Sequence, residues 1–202
     1  MSEADCFGQQ LRRVANEVGL ALAARQLALL EEHYSKLQKW NRRINLTAIR
    51  NPREIAERHF GEALFLSREL GESPGTVLDV GSGAGFPGIP LAVHRPETHV
   101  TLLEPVGKKF AFLKEVSRSL PNVSVLQCRL NAVEGAFDWA TVRGVAVGSI
   151  FKGLGARARR VALLTTAEVA SGLVLERSVE WQRRLPLPWG KQRVLLLGGL
   201  ST

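Results

Sequence analysis

Cysteine is scarce in this chain of 202 residues: Cys6 and Cys128 stand far apart, and neither belongs to a CxxC or Cys/His spacing. A disulfide framework and a zinc site therefore find no support, no metal is expected, and both thiols read as passive. Long apolar runs are also missing, since none approaches the roughly 20 residues a membrane span needs. The first ten residues carry acids, Glu3 and Asp5, and no base, the wrong order for a signal peptide. A cytoplasmic chain is the expectation. Internal repeats and low-complexity stretches are absent too. At 45% hydrophobic and 23% charged residues, the composition is that of an ordinary globular domain.

What is abundant is positive charge, with a formal net charge of +8, which points to an anionic partner without naming it. Residues 151–202 hold nine Lys/Arg against three Asp/Glu. A second basic run, Lys36, Lys39, Arg42, Arg43, Arg50, Arg53 and Arg58, is opposed by only Glu54 and Glu57. Two basic patches flank a nearly neutral middle, either as plain solvated faces or as a grip on a polyanion.

The first third reads as helical. Leu27, Leu30, Tyr34 and Leu37 recur at three- and four-residue spacing, predicting a helix that ends near Trp40 or Asn41. A break follows at Asn45–Thr47, and Asn51-Pro52 offers the next helix start. The stretch Gly71–Gly75 is the expected boundary between a helical extension, 1–73, and a second part, 74–202, the two forming one compact unit. From Thr76 short β-rich runs alternate with helical segments: Val77–Val80, His99–Leu103, Val123–Leu126, Phe137–Val142 and Val161–Leu164. That rhythm predicts an α/β fold with a parallel sheet. Leu173–Arg184 and Arg193–Leu197, joined across Leu185–Gly190, read as an antiparallel pair at the end of that sheet.

Chemistry concentrates in Leu78-Asp79-Val80-Gly81-Ser82-Gly83-Ala84-Gly85-Phe86-Pro87-Gly88, where a strand should end and a helix begin. Alternate glycines let the backbone turn tightly and a ligand approach closely, and the helix start is expected to offer free N–H groups. A P-loop would need Lys-Ser/Thr after the glycines, and Phe86-Pro87-Gly88 supplies neither. Gly83, Gly85 and Gly88 match the dinucleotide fingerprint literally, and Glu104 follows 19 residues after Gly85, a weak argument for NAD. Asp79 decides against it. A carboxylate at the strand tip repels a pyrophosphate but suits the amino group of S-adenosylmethionine. Glu104, an acceptor with two oxygens, then has the reach to hold both ribose hydroxyls. The plainer alternative is that Asp79 stabilises the turn and Glu104 caps a helix.

With these residues in place, the chain resembles the bacterial 16S rRNA guanine-N7 methyltransferase family, RsmG or GidB, over nearly its whole length. The resemblance rests on Lys39-Trp40-Asn41-Arg42-Arg43-Ile44-Asn45-Leu46-Thr47, Arg58-His59, Leu78–Leu91, Leu103-Glu104 with Lys108–Leu113, and Val142-Arg143. It implies a Rossmann-like S-adenosylmethionine-dependent methyltransferase fold with an N-terminal helical extension. It further implies S-adenosylmethionine as cofactor, 16S rRNA or the small ribosomal subunit as partner, and a guanine of the 530-loop region as methyl acceptor. By resemblance Gly81 and Phe86 contact the cofactor, Glu104 holds the ribose, Leu130 and Asn131 lie beside the adenine, and Arg143 stands near the reaction centre. Arg143 is the candidate to orient the base or its phosphate; its alternative partner is Asp138 or the cofactor carboxylate. Lys39, Arg42, Arg43 and Arg58, with Arg157, Arg159 and Arg160, are expected to flank the pocket and grip RNA backbone.

Three departures from the family pattern stand out. Asn131 replaces a usual acid, Thr165-Thr166 stands where a Lys-Gly pair is usual, and Phe60-Gly61-Glu62 where Asp-Ser is usual. The last two bear on substrate positioning and leave open a second reading, an RNA-binding assembly factor that keeps the cofactor fold without the transfer. Trp40 reads as core between helix and sheet, His59 as a structural histidine, and Asn41, Asn45 and Thr47 as caps or as a border of the active-site mouth. One of Lys108 and Lys109 is expected to face RNA or cofactor. A monomer is expected.

Overall fold

Apolar residues at three- and four-residue spacing fix the first two helices, α1 (Glu3–Glu17) and α2 (Ala24–Asn41), in the computed structural model, which describes residues 3–71, 74–145, 150–173, 176–190 and 192–201. α2 ends at Asn41, within the predicted limit. Asn41 is itself the reason the chain turns there: its side-chain oxygen accepts from the N–H groups of Leu46 and Thr47, and its amide donates to the Thr47 carbonyl. Asn51 caps the next helix, α3 (Pro52–Ile55), by accepting from the Arg53 and Glu54 N–H groups, with Pro52 in the first turn. α3 runs without a break into a π-helical stretch, Ala56–Gly61, and then into α4 (Glu62–Glu69).

The second part alternates strand and helix: β1 (Thr76–Val80), α5 (Gly88–His94), β2 (His99–Leu103), α6 (Gly107–Val116), β3 (Val123–Leu126), β4 (Phe137–Arg143), α7 (Ile150–Gly155) and β5 (Ala158–Thr166). β1 to β5 are mutually parallel, as predicted. The six-residue α8 (Ala167–Gly172) follows, and β6 (Val179–Pro186) and β7 (Arg193–Leu200) close the sheet in antiparallel sense. The order is β3-β2-β1-β4-β5-β7-β6. The expected terminal pair is thus present, but Leu173 ends α8 and the strand begins only at Val179.

The chain order reverses between β1 and β4, which is where open α/β sheets bind ligands at the carboxyl ends of their strands. One hydrophobic cluster joins Phe7, Leu11, Leu30, Leu37, Phe60 and Leu64 of the helical part to Val77, Val100, Leu102 and Phe112 of the α/β part. A second, smaller cluster lies on the other face of the sheet around Leu78, Ala140, Val142, Phe151 and Val161. Trp40 packs on α6 rather than between helix and sheet: its ring meets Phe112 edge-on and its N–H donates to Glu115 at 3.0 Å. Among the described residues no helix is long and apolar enough to cross a membrane.

Candidate active site

The glycine loop leaves β1 at Val80 and is tied to the end of β2, because the N–H groups of Gly81 and Ser82 both donate to the Leu103 carbonyl. Gly81 and Gly83 have φ of +71° and +55°, which disfavours a side chain at either position, and a Cβ on Gly81 would lie 2.8 Å from a Val145 methyl. The expected free N–H groups at the following helix are not there for a ligand. The Gly88 N–H donates to Asp79 Oδ2 at 3.1 Å, and those of Phe86 and Ile89 close turns on Ser82 and Gly85.

Asp79 therefore works from beneath the loop. It is 1% exposed, and its other oxygen accepts from the Thr141 hydroxyl at 2.8 Å. Its side chain clasps the loop to β4, and it does not line the cavity in front of the glycines. Burial pushes its carboxyl up to about 6 against the opposing pull of those hydrogen bonds. Glu104 accepts from the Gly83 N–H at 3.0 Å and from the Val106 N–H at 2.9 Å, fixing the carboxylate beside the loop. Leu130 and the exposed Asn131 form the turn after β3. Asp79, Glu104 and Leu130-Asn131 belong to the carboxyl ends of β1, β2 and β3, the same edge of the sheet, but they stand outside the lining of the cavity described next.

That cavity, of about 310 Å³, is walled by Gly81, Ser82, Gly83, Ala84 and Phe86 of the loop on one side. The other wall is cationic: Arg58, Lys109, Arg143 and Arg193. Phe86 is sandwiched between two imidazoles, His33 and His59, each with its ring centre 4.7 Å away. His33 Nε2 donates to the Ala84 carbonyl, and burial lowers its pKa to about 4. His59, which also lines the cavity, shares a 2.8 Å hydrogen bond with Thr47 and is held well below its usual pKa by burial and by the positive charges of Arg143, Arg58 and Arg193. Both rings are neutral at pH 7, and the expected structural role of His59 is what the geometry displays.

Beneath the cationic wall lies Glu62, fully buried. It accepts from Arg58 at 3.2 Å and, with both oxygens, from the forked guanidinium of Arg193 at 3.1 and 2.7 Å; Arg143 stands 3.7 Å away. Arg143 also donates to the Arg58 carbonyl. Its partners are these, not Asp138, whose carboxylate accepts from Thr76. Burial lowers the Arg143 guanidinium to about 10, still cationic at pH 7.

The departure at Phe60-Gly61-Glu62 acquires a structural reason. Phe60 packs on Phe7 and Phe86, and Gly61 leaves room for the Trp189 ring, which would lie 2.5 Å from a Cβ there. Trp189 in turn donates to Glu17 at 2.6 Å. The turn that carries Trp189 also delivers Arg193, a site residue the sequence did not disclose.

The predicted basic patches divide. Lys39 and Arg43 border a groove between α2 and α6 that also takes in Lys108, and Lys39 and Arg42 border one between α1 and α2. Arg157, Arg159 and Arg160 do not flank the cleft. They stand at the amino end of β5, whereas the site lies at the carboxyl ends of the parallel strands, about 20–30 Å away along the strand. Arg160 lies over the ring of Trp139 there.

A family model described as rRNA small subunit methyltransferase G matches residues 26–159. The chain belongs to that family. A protein from Roseiflexus castenholzii named ribosomal RNA small subunit methyltransferase G is 41% identical over 145 residues, which is 68% of this chain. The chain spans 62% of that protein's length. A relative of the same name from Klebsiella pneumoniae is 39% identical over 141 residues, 68% of this chain and 67% of that protein. In fold the chain is similar to a SAM-dependent methyltransferase from Aquifex aeolicus, with a TM-score of 0.62 at 20% identity, covering 83% of this chain and 98% of the other. It is also similar to a putative RNA methyltransferase from Pyrococcus horikoshii, with a TM-score of 0.56 at 16% identity over 85% and 99% of the two chains. The α/β fold expected of a Rossmann-like methyltransferase is thus the fold observed.

Proposed function

We propose that this chain transfers the methyl group of S-adenosylmethionine to N7 of a guanine in the 530-loop region of 16S rRNA, acting in the cytoplasm on the RNA or the small subunit. The observation that carries the reading is the cavity at the sheet's switch point, lined by the glycine loop and by four cationic side chains. Family membership supplies the reaction class.

The residues present fit the cofactor. Gly81 and Gly83 offer bare backbone, Phe86 lines the cavity with its ring faces held by His33 and His59, and each Glu104 oxygen keeps a lone pair for a ribose hydroxyl after its N–H bond. Leu130 and Asn131 are proposed beside the adenine. When bound, S-adenosylmethionine supplies an electrophilic methyl on a sulfonium. Guanine N7 carries a lone pair and no proton, so the protein needs no general base, in keeping with the two neutral histidines. Its contribution is proximity and orientation, worth up to roughly 7–11 kcal/mol of barrier. Arg143, anchored by Glu62 and the Arg58 carbonyl, holds a fixed direction for bonding the base or its phosphate.

The test is transfer of labelled methyl from S-adenosylmethionine to small subunits from a strain without this modification, with Arg143→Ala in parallel. Transfer that the variant loses supports the reading. Retained cofactor binding without transfer to any RNA would instead favour the assembly-factor reading, for which the Thr165-Thr166 departure speaks: Thr166 is a helix cap, accepting from the Val169 N–H.

A further inference from the structure

Four cations, Arg58, Lys109, Arg143 and Arg193, line one cavity; the buried carboxylate of Glu62 answers the three arginines, and the half-exposed Glu54 stands 3.9 Å from Arg58. Arg143 and Arg193 form its inner part, with side chains 14% and 15% exposed, and Arg58, at 33%, is the more open. Lys109 enters from α6 and makes no hydrogen bond or ion pair among the described residues. Three arginines pinned in fixed directions around a buried acid, with a lysine lining the same cavity, leave an excess of about two positive charges at a space of about 310 Å³ once Glu62 and Glu54 are counted. Like charges gathered this closely repel, and a ligand that relieves them is favoured in proportion to its own charge. A carboxylate brings one charge and two oxygens. A phosphate brings more acceptors, in the geometry that guanidinium forks match.

We infer that Arg193 and Lys109, with Arg58 and Arg143, form a subsite for a backbone phosphate of the nucleic acid beside the reacting base. This rests on the proposed RNA substrate. Arg193 lies beyond the residues the family model matches, and it comes from β7, where its register partner is Thr166 at the end of β5. The cation at this point of the sheet edge is therefore brought by the neighbouring strand. Its backbone is set by the turn, the Arg193 N–H donating to the Gly190 carbonyl and its carbonyl accepting from Leu187.

The experiment compares binding of guanosine 5′-monophosphate and guanosine to the full chain by ligand-observed NMR. The wild-type chain is expected to prefer the nucleotide by about tenfold, the size of one charge-assisted hydrogen bond. Lys109→Gln, which removes no hydrogen bond or ion pair among the described residues, should cut that preference several-fold, and Arg193→Gln should abolish it, while S-adenosylmethionine affinity stays at the wild-type value in both. Equal or absent binding of nucleotide and nucleoside would overturn the inference. So would a variant pair that keeps the preference and loses cofactor affinity, which would assign the cations to the cofactor carboxylate. A phosphate preference that depends on both residues, in a chain that methylates no rRNA, would uphold the subsite and reject the proposed reaction alone.

Discussion

Replacing Glu62 with glutamine keeps the shape of the side chain and removes its charge, leaving three guanidiniums facing one another. Glu62 is fully buried, and Arg143 and Arg193 are nearly so. Breaking a buried ion pair by neutralising one partner costs about 3–5 kcal/mol, mostly because the remaining charge stays desolvated. Arg58, being one-third exposed, recovers much of its loss to solvent and adds little. For a chain of this size each kcal/mol moves Tm by about 2–4 °C, so E62Q should melt roughly 6–20 °C below wild type, read by differential scanning calorimetry. Arg193→Met should relieve part of that loss in the double variant, because it removes one of the stranded charges. A drop of less than about 2 °C would refute the view that this acid organises the cationic wall.

Other outcomes follow from the same geometry. Acid should destabilise the fold between pH 6.5 and 4. His33 has its folded pKa lowered from 6.5 to about 4, so its stability is fully present above 6.5 and is lost as pH falls, about 3 kcal/mol in all. His59 acts in the same sense. Asp79 opposes them: raised from 3.8 to about 6, it takes up its proton first in the folded state, so its contribution is present at low pH and is lost as pH rises through 6. Two histidines against one aspartate leave a net loss of stability on acidification. Urea unfolding at stepped pH checks this, and stability that rises between pH 6.5 and 5 would contradict it. Gly61→Ala should lower stability by about 1–3 kcal/mol through overpacking on Trp189, seen as a lower urea midpoint. Asn41→Ala leaves the Leu46 and Thr47 N–H groups without their acceptor and should cost about 1–3 kcal/mol in the same assay. Arg159→Gln with Arg160→Gln, at the far end of β5, should leave methyl transfer within about twofold of wild type, whereas added salt should weaken RNA binding steeply.

Legibility in the sequence tracked how local each determinant is. β2 and β3 begin and end where their β-rich runs do, and the end of α2 follows from Asn41 and its loop. α1 falls within the helical reading of 1–73 without bounds of its own, although Phe7, Leu11, Val14 and Val18 carry the helical spacing and are all buried. α8 has only six residues, too few for a period, and of the strand expected from Leu173 the structure shows the part from Val179, residues 174 and 175 lying outside those described. In the site, the glycine loop was readable because its conformation is set by its own residues. Between the two roles open to Asp79, the geometry matches the turn-stabilising one, and the sequence leaves that choice open because a carboxylate's partners, Gly88 and Thr141, are decided by the fold. The Glu62–Arg193 pair spans 131 positions, and neither residue carries a local pattern that marks it. Strand direction moved Arg157, Arg159 and Arg160 to the wrong end, which charge counting does not register.

Nucleoside-resolved mass analysis of 16S rRNA is the decisive measurement for the proposed methyl transfer to guanine N7. Small subunits lacking the modification are incubated with the full chain and S-adenosylmethionine, and the rRNA is digested in segments. One 7-methylguanosine is expected, confined to the 530-loop fragment and absent with Arg143→Ala. A methyl group on another nucleoside, or none while the cofactor binds, would contradict it.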